Sequence, residues 1–306
     1  MAAASPSYPG AAAPERSRWL DSFGLRLRVH EWGDPEATPV VLVHGMFDHA
    51  RTFDVLAPLL AERYRVVAMD ARGHGDSDWA ESYPWVIDVF AIVQLLRSNG
   101  RPSHLVGHSK GGGQSVDAAV RAPDDVLRLV DIDGFGPPPE GFRPDGDGLP
   151  HRTQPEILGD FFEWRRHASD RRGWRAYPTL DELAKRRRQQ NPRLSLEWLR
   201  YFTEHGAKET EDGFTWKSDP HTVRGYGPWQ PEWIGPGWAP LRVPLLALTG
   251  TEPDTWGPIP EEVIEERLAH VAHVERARID GTGHFVHLEK PGETARVLLD
   301  WLGEGG

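Results

Sequence analysis

The sequence predicts an α/β fold in which a mostly parallel central sheet carries helices on both faces and is interrupted by one helical insertion. Short apolar runs alternate with segments of helical periodicity, which is typical of a parallel sheet. This alternation stops after Asp133 and resumes at Val243. The chain has 306 residues, a length that fits one core domain with a large insertion better than two full domains.

Most of the predicted parallel strands are short apolar runs, as expected of strands that are covered on both faces. Residues 24–32 differ, since apolar Leu25, Leu27 and Val29 alternate there with polar residues. This pattern predicts a half-exposed antiparallel strand at the sheet edge. The apolar runs lie at 40–43, 66–69, 105–106, 127–130 and 245–248, and residues 274–279 form a plausible further strand.

Helical patterns separate the strands and place helices on both faces of the sheet. They cover about 52–62, 85–98, 110–121, 259–270 and 291–302. Together the core is predicted to span residues 17–136 and 241–306. Residues 1–16 are small and rich in proline, so we expect them to be disordered.

Residues 137–240 are predicted to form the insertion, a helical cap over the carboxyl edge of the sheet. They carry no good strand pattern, and helical stretches lie near 155–169, 179–190 and 195–205. Seven of the 13 tryptophans fall here. We expect some of them to line an apolar pocket and most to hold the cap to the core.

Composition narrows the class of protein. The net charge is −11, from 35 basic and 46 acidic residues, and an acidic protein repels phosphate backbones. The absence of cysteine excludes disulfides and thiolate chemistry. With no signal peptide or long apolar run, we expect a cytoplasmic protein acting on a small molecule, without nucleic acid, membrane span, metal or cofactor. A homodimer is compatible with the sequence.

A candidate nucleophile follows one of the apolar runs. Gly107-His108-Ser109-Lys110-Gly111 stands between a predicted strand and a predicted helix. A serine on such a sharp turn needs small residues two positions before and after it, because larger side chains would collide. The turn exposes the hydroxyl at the sheet edge, so Ser109 is the predicted nucleophile.

A candidate oxyanion hole lies after the strand at 40–43. The strand runs into His44-Gly45-Met46. A tetrahedral intermediate needs two preorganised N–H donors. We predict the backbone N–H groups of Met46 and Lys110.

His284 is the predicted general base. It lies in a glycine-containing loop between the last strand and the last helix, and it follows the serine in the order that a serine hydrolase requires. His287, three residues later, is the competing histidine and is interpreted as a packing or surface residue.

Three carboxylates compete for the role of orienting the histidine. We favour Asp254, which lies on the loop after the strand at 245–248 and fits the chain order. Glu252 lies on the same loop, and Asp133 stands at the end of the preceding strand. Both remain alternatives.

With these motifs the chain resembles the α/β-hydrolase superfamily from about Trp19 to Leu302. The resemblance implies the α/β-hydrolase fold. The acid loop departs from the usual Gly-x-x-Asp pattern, since Pro253 stands three residues after Gly250, where the aspartate is expected, and Asp254 follows. The insertion resembles that of serine-hydrolase-like proteins at 179–184 and 218–224. The matching core motifs are His44-Gly45, residues 70–77, residues 107–111, Gly283-His284 and Glu289-x-Pro291.

The sequence thus predicts a serine hydrolase that cleaves a carboxylic ester or lactone of a small, largely apolar substrate through an acyl-enzyme. Ser109 argues against the haloalkane dehalogenases and epoxide hydrolases of this fold, which use an aspartate nucleophile. Carbon–carbon, amide or thioester hydrolysis, perhydrolysis and a non-catalytic ligand-binding role remain alternatives. The basic run at 185–188 is interpreted as a solvated helix face rather than a site for an anionic partner.

Overall fold

The computed structural model describes residues 7–137, 154–166, 173–223, 231–255 and 259–303. Parts of the predicted insertion, at 138–153, 167–172 and 224–230, lie outside these residues, as do the first six residues of the chain.

Eight strands form the central sheet, and two more form a hairpin within the insertion. The sheet order is β1-β2-β4-β3-β5-β6-β9-β10. Strand β2 pairs antiparallel with both neighbours, and the other described pairs of the sheet are parallel. The strands are β1 (Arg16–Ser22), β2 (Leu25–Trp32), β3 (Pro39–Val43), β4 (Arg65–Met69), β5 (Ser103–His108), β6 (Val126–Ile132), β7 (Ala207–Thr210), β8 (Gly213–Trp216), β9 (Leu245–Gly250) and β10 (Val274–Ile279).

The helices lie close to the predicted ranges. Within the described residues, none is both long and apolar enough to cross a bilayer. The helices are α1 (Leu56–Ala61), α2 (Trp85–Ser98), α3 (Lys110–Arg121), α4 (Gln154–Arg166), α5 (Leu180–Gln190), α6 (Leu196–Gly206), α7 (Ile234–Trp238), α8 (Glu261–Leu268), α9 (Val286–Glu289) and α10 (Pro291–Gly303).

The sheet separates two hydrophobic cores, which explains the continuous apolar strands. In β3, Val41 and Val43 face the core built with α2, α3, α7 and α8. Val40 and Leu42 face the opposite core, built with α1 and α10. Each such buried side chain contributes about 1.5–3 kcal/mol to folding. Alternate side chains of β3 therefore enter opposite cores, and no position along this strand is left for a polar residue.

The first strand was missed in the sequence, and the predicted disorder of residues 1–16 is wrong from Tyr8 onward. The Ala12 N–H donates to the Asp54 carbonyl at 2.9 Å, and the Trp32 indole N–H donates to the Ala12 carbonyl at 3.0 Å. The Tyr8 ring meets the Trp198 ring edge-on at 5.0 Å between centroids. These contacts order the segment despite its composition. Strand β1 then pairs outside β2, so β2 is not the edge strand.

The insertion differs from its prediction in two respects. It contains the β7-β8 hairpin, although its sequence carries no strong strand pattern. Its last part belongs to the core, because Ile234 and Trp238 are buried in the same cluster as the sheet residues. Helix α7 therefore packs as a core element against α3 and α8.

A buried arginine fixes the chain where it leaves the sheet for the insertion. Arg267, on α8, is 1% exposed. Its guanidinium donates to the carbonyls of Phe135, Gly136 and Pro137, with 2.8 Å to Gly136. These three carbonyls belong to no helix or strand. The guanidinium therefore supplies the hydrogen-bond donors that they need inside the protein.

Replacing Arg267 with methionine should lower the free energy of unfolding by about 3 kcal/mol, because buried carbonyls lose their donor. Urea unfolding followed by circular dichroism measures this change. The control is Arg296→Met on an exposed position of α10, where a change within about 0.5 kcal/mol is expected. Equal changes in the free energy of unfolding at the two positions would show that the hydrogen bonds of Arg267 do not stabilise the protein.

Candidate active site

Ser109 stands on a strained turn between β5 and α3. Its backbone has φ 55° and ψ −124°, a conformation that non-glycine residues rarely adopt. The strain costs on the order of 1–3 kcal/mol. Hydrogen bonds hold the turn, since the Ser109 N–H donates to the Ile132 carbonyl at 2.9 Å and the Gly112 N–H donates to the Ser109 carbonyl at 2.8 Å.

The two glycines that flank the serine are required by close backbone approach. A Cβ atom at Gly107 would lie 2.3 Å from the Gly111 carbonyl oxygen. A Cβ atom at Gly111 would lie 2.5 Å from the His44 carbonyl oxygen. The strand, the helix and the loop after β3 therefore meet with no space for a side chain, as the sequence pattern predicts.

The loop after β3 lies directly beside the serine. A Cβ atom at Gly45 would be 3.2 Å from the Ser109 Cβ. Neither the Met46 nor the Lys110 backbone N–H donates to a backbone carbonyl of the described residues outside the regular elements. Neither N–H group is therefore committed to such a carbonyl, and an oxyanion hole needs free donors of this kind.

Two buried histidines hold this loop, and neither side chain was assigned a role from the sequence. The His44 Nδ1–H donates to the Gly45 carbonyl at 2.7 Å, and its Nε2 accepts from the Ala71 N–H at 3.0 Å. The His74 Nε2 accepts from the Phe47 N–H at 3.2 Å. Burial lowers the pKa of His44 to about 4 and that of His74 well below 6.5, so both rings stay neutral at pH 7.

The side chain of Lys110 is directed into a buried ionic cluster rather than toward a substrate. Its ammonium lies 3.0 Å from Asp88 Oδ2, while Arg72 lies 2.7 Å from Asp88 Oδ1. Gln114 also donates to Asp88 at 3.1 Å. Burial would raise the pKa of Asp88, but Lys110 and Arg72 hold it below its usual range. The cluster anchors the start of α3 behind the serine.

His284 is held beside this turn through the residue that precedes Ser109. The His108 Nε2–H donates to the His284 carbonyl at 3.0 Å, and the two rings lie 4.7 Å apart between centroids. His284 is 8% exposed. The histidine predicted from chain order and the predicted serine are therefore brought to the same edge of the sheet.

Asp133, not the favoured Asp254, contacts the imidazole of His284. The His284 Nδ1 and Asp133 Oδ2 atoms are 2.5 Å apart. Asp254 instead accepts from the backbone N–H of His284 at 3.2 Å and from that of Thr255 at 2.5 Å. The Glu252 side chain is exposed, and its backbone N–H donates to the Thr282 carbonyl.

The order of strands explains this outcome. Strand β6 is the neighbour of β5, so its carboxyl end lies next to the Ser109 turn. Strand β9 lies one position further away. Asp133 follows β6 with φ 51°, and this turn places its carboxylate against the imidazole. The Asp254 carboxylate accepts hydrogen bonds from the loop backbone instead. The expectation that Asp254 orients the imidazole of His284 is therefore corrected in favour of Asp133.

His287 is buried rather than on the surface. It is 0% exposed, and neither ring nitrogen has a hydrogen-bond partner among the described residues. Its ring packs against those of His108 and Phe53, at 4.5 and 5.4 Å between centroids. Burial, together with the charge of His284, lowers the pKa of His287 to about 3.

The described residues contain no cluster of three or more side chains suited to a metal ion.

Comparison with known proteins places the site in context. A model of the alpha/beta hydrolase family matches residues 40–297. The serine hydrolase-like protein of Danio rerio is 29% identical over 199 residues, which cover 63% of this chain and 58% of that protein. Lipase LipV of Mycobacterium tuberculosis is 39% identical over 112 residues, 36% of this chain and 42% of the lipase. The chain thus spans about half the length of these relatives.

Solved structures agree on the fold. The thioesterase domain from the curacin biosynthetic pathway superposes with a TM-score of 0.78 at 22% identity, covering 93% of this chain and 99% of that domain. The Mycobacterium tuberculosis esterase Rv0045c gives a TM-score of 0.71 at 20% identity, covering 95% and 93%. The predicted fold class is confirmed.

Acidification should destabilise the protein in part through His287. The folded ring stays neutral down to a pKa of about 3, whereas the unfolded ring takes up a proton below about pH 6.5. Its contribution to stability is therefore present above that pH and is lost as the pH falls. When the pH is lowered from about 7 to about 4, the free energy of unfolding should fall less in His287→Leu than in the wild type. The two decreases should differ by up to about 3 kcal/mol.

Urea unfolding across this pH range measures the difference. His273→Leu, at an exposed position, is the control and should follow the wild-type curve. Parallel curves for the wild type and His287→Leu would contradict the role of the buried ring.

Proposed function

Because the chain belongs to the alpha/beta hydrolase family, we propose that it is a serine hydrolase cleaving a carboxylic ester or lactone, with Ser109, His284 and Asp133 as its triad. The observation that carries this proposal is the contact between His284 Nδ1 and Asp133 Oδ2 at 2.5 Å, beside a serine held at φ 55°. The three groups follow the carboxyl ends of β5, β6 and β10, at the sheet edge where α/β folds bind ligands.

The proposed reaction begins with proton transfer. Asp133 accepts a hydrogen bond from Nδ1–H of His284, which leaves Nε2 free to accept the Ser109 hydroxyl proton. The serine oxygen attacks the ester carbonyl carbon, and the carbonyl π electrons move to oxygen. Asp133 stays ionised and stabilises the imidazolium that forms.

The proposed oxyanion hole consists of the Met46 and Lys110 N–H groups. Their lack of backbone acceptors among the described residues and the packing of Gly45 on Ser109 support this role. When the tetrahedral intermediate collapses, the imidazolium gives its proton to the leaving alcohol and an acyl-enzyme remains. Water, deprotonated by His284, then releases the acid and restores the serine.

The described part of the insertion up to residue 223 is proposed to act as a cap. Trp174 packs on Phe47, the residue after Met46, at 5.4 Å between ring centroids. The His49 ring stacks on Phe202 at 4.5 Å, and the Asp219 N–H donates to the Gly73 carbonyl at 2.7 Å. These contacts join the insertion to the loops around Ser109, so a cap placed there can exclude water and select substrates.

Ser109→Ala should abolish both ester hydrolysis and labelling by a fluorophosphonate, because the attacking oxygen is removed. The fold should be unchanged, since the turn accepts a small residue. Gel fluorescence and a chromogenic short-chain ester measure the two effects. The control is Ser115→Ala, at a buried serine of α3, which should still be labelled. Labelling that persists in Ser109→Ala would assign another nucleophile.

Asp133→Asn should lower kcat by about four orders of magnitude, because the amide no longer holds the imidazole in the required tautomer. Asp254→Asn should leave kcat within about tenfold of the wild type, since it alters a backbone contact. Steady-state kinetics on one ester compares the two variants. The reverse order of effects would return the acid role to Asp254.

A further inference from the structure

A cavity of about 920 Å³ lies against helix α5 in the insertion. Four basic residues and one acidic residue, Glu182, contribute to its lining. The surplus of positive charge is local, because the chain as a whole carries −11. A concave surface of one sign concentrates ligands of the opposite sign. The basic residues are Arg175, Lys185, Arg186 and Arg187.

Arg187 differs from the other basic residues of its helix. Lys185, Arg186 and Arg188 are exposed, as the interpretation of a solvated face predicts, but Arg187 is 7% exposed. Its guanidinium lies over the Phe202 ring at 5.2 Å. It makes no ion pair within 4.0 Å with any described carboxylate, although it contributes to the cavity lining. The charge of Asp48 acts on it, but from beyond ion-pair distance. A ligand carboxylate that pairs directly with the guanidinium would therefore offset part of the cost of burying this cation.

The cavity borders the proposed catalytic loop. Trp174 lines it and also packs on Phe47. Asp48, the next residue, is buried, and its Oδ2 has no hydrogen-bond partner among the described residues. Burial raises the pKa of Asp48 to about 7, and the charges of Arg187 and His284 act on it in the opposite direction. The carboxyl group of Asp48 therefore lies within electrostatic range of both the cavity arginine and the proposed base.

The other walls of the cavity are aromatic. Trp174, Tyr177 and Trp216 contribute to the lining. Such rings bury the carbon skeleton of a ligand, while a guanidinium fixes a planar anion through two parallel hydrogen bonds. The combination suits an organic acid better than a small inorganic anion.

We propose that this cavity binds a carboxylate carried by the substrate and that Arg187 is the residue that binds it. The inference rests on the proposed hydrolase function and narrows its substrate to esters with a second, negatively charged group. The expectation of a largely apolar substrate is then replaced by an amphipathic one, with its carbon skeleton on the aromatic walls and its carboxylate on Arg187.

Binding of a non-hydrolysable pair of probes tests the site independently of Ser109. Isothermal titration of the full chain with phenylacetate and with neutral phenylacetamide should show about tenfold or more tighter binding of the acid. Arg187→Gln should remove this preference. Arg188→Gln, on the exposed side of the same helix, is the matched control and should keep it. Circular dichroism establishes that each variant is folded.

If Arg187→Gln does not fold, Arg175→Gln at the cavity lining serves as the second variant and should weaken binding of the acid but not of the amide. Equal binding of acid and amide by the wild type would overturn the proposal. So would a preference that survives in Arg187→Gln, or tighter binding of phenyl phosphate than of phenylacetate.

A kinetic comparison links the site to catalysis. The 4-nitrophenyl hemi-ester of glutaric acid should have a kcat/KM about tenfold above that of its neutral methyl ester, and Arg187→Gln should abolish this ratio. An unchanged ratio in that variant would overturn the substrate assignment. Failure of Ser109 labelling together with retained phenylacetate binding would contradict the proposed function and support the anion site.

Discussion

The close approach of three backbone segments around Ser109 is the constraint on which the rest of the site depends. Strand β5, the first turn of α3 and the loop after β3 touch through carbonyl oxygens at Gly107 and Gly111, where a side chain would overlap with backbone. This contact forces the serine into its strained conformation. It also brings the loop after β3 next to the start of α3.

Much of the fold could be predicted from the sequence, because parallel strands covered on both faces are continuous in apolar residues. Strand β1 could not, since Arg16–Ser22 is mostly polar and gains its order from pairing with β2. The β7-β8 hairpin could not either, since its strands are four residues each and depend on tertiary contacts such as the bridge between Tyr177 and Phe214. Local composition does not contain such long-range partners.

The site was predictable to the extent that a single turn or loop determines it. The serine is fixed by a local pattern of glycines, and chain order selects the histidine. The carboxylate that contacts the histidine could not be chosen from chain order alone, because the loops after β6 and β9 both satisfy the order serine, acid, histidine. Which carboxylate meets the ring depends on strand adjacency and on the path of the chain after Pro253. Likewise, residues 70–77 are part of the family resemblance, but the hydrogen bond from the Phe47 N–H to His74 joins two segments that are distant in sequence and cannot be predicted from that motif.

The buried rings of His44 and His74 behave as fixed dipoles rather than as acids or bases. Each ring nitrogen has a set role, as a donor to a carbonyl or an acceptor from an amide. Since the pKa of His44 is about 4 and that of His74 is also depressed, protonation does not change the loop in neutral or mildly acidic solution. A change of rate in that range then reports on groups nearer to the substrate, and the two rings set a geometry that is insensitive to the acidity of the compartment.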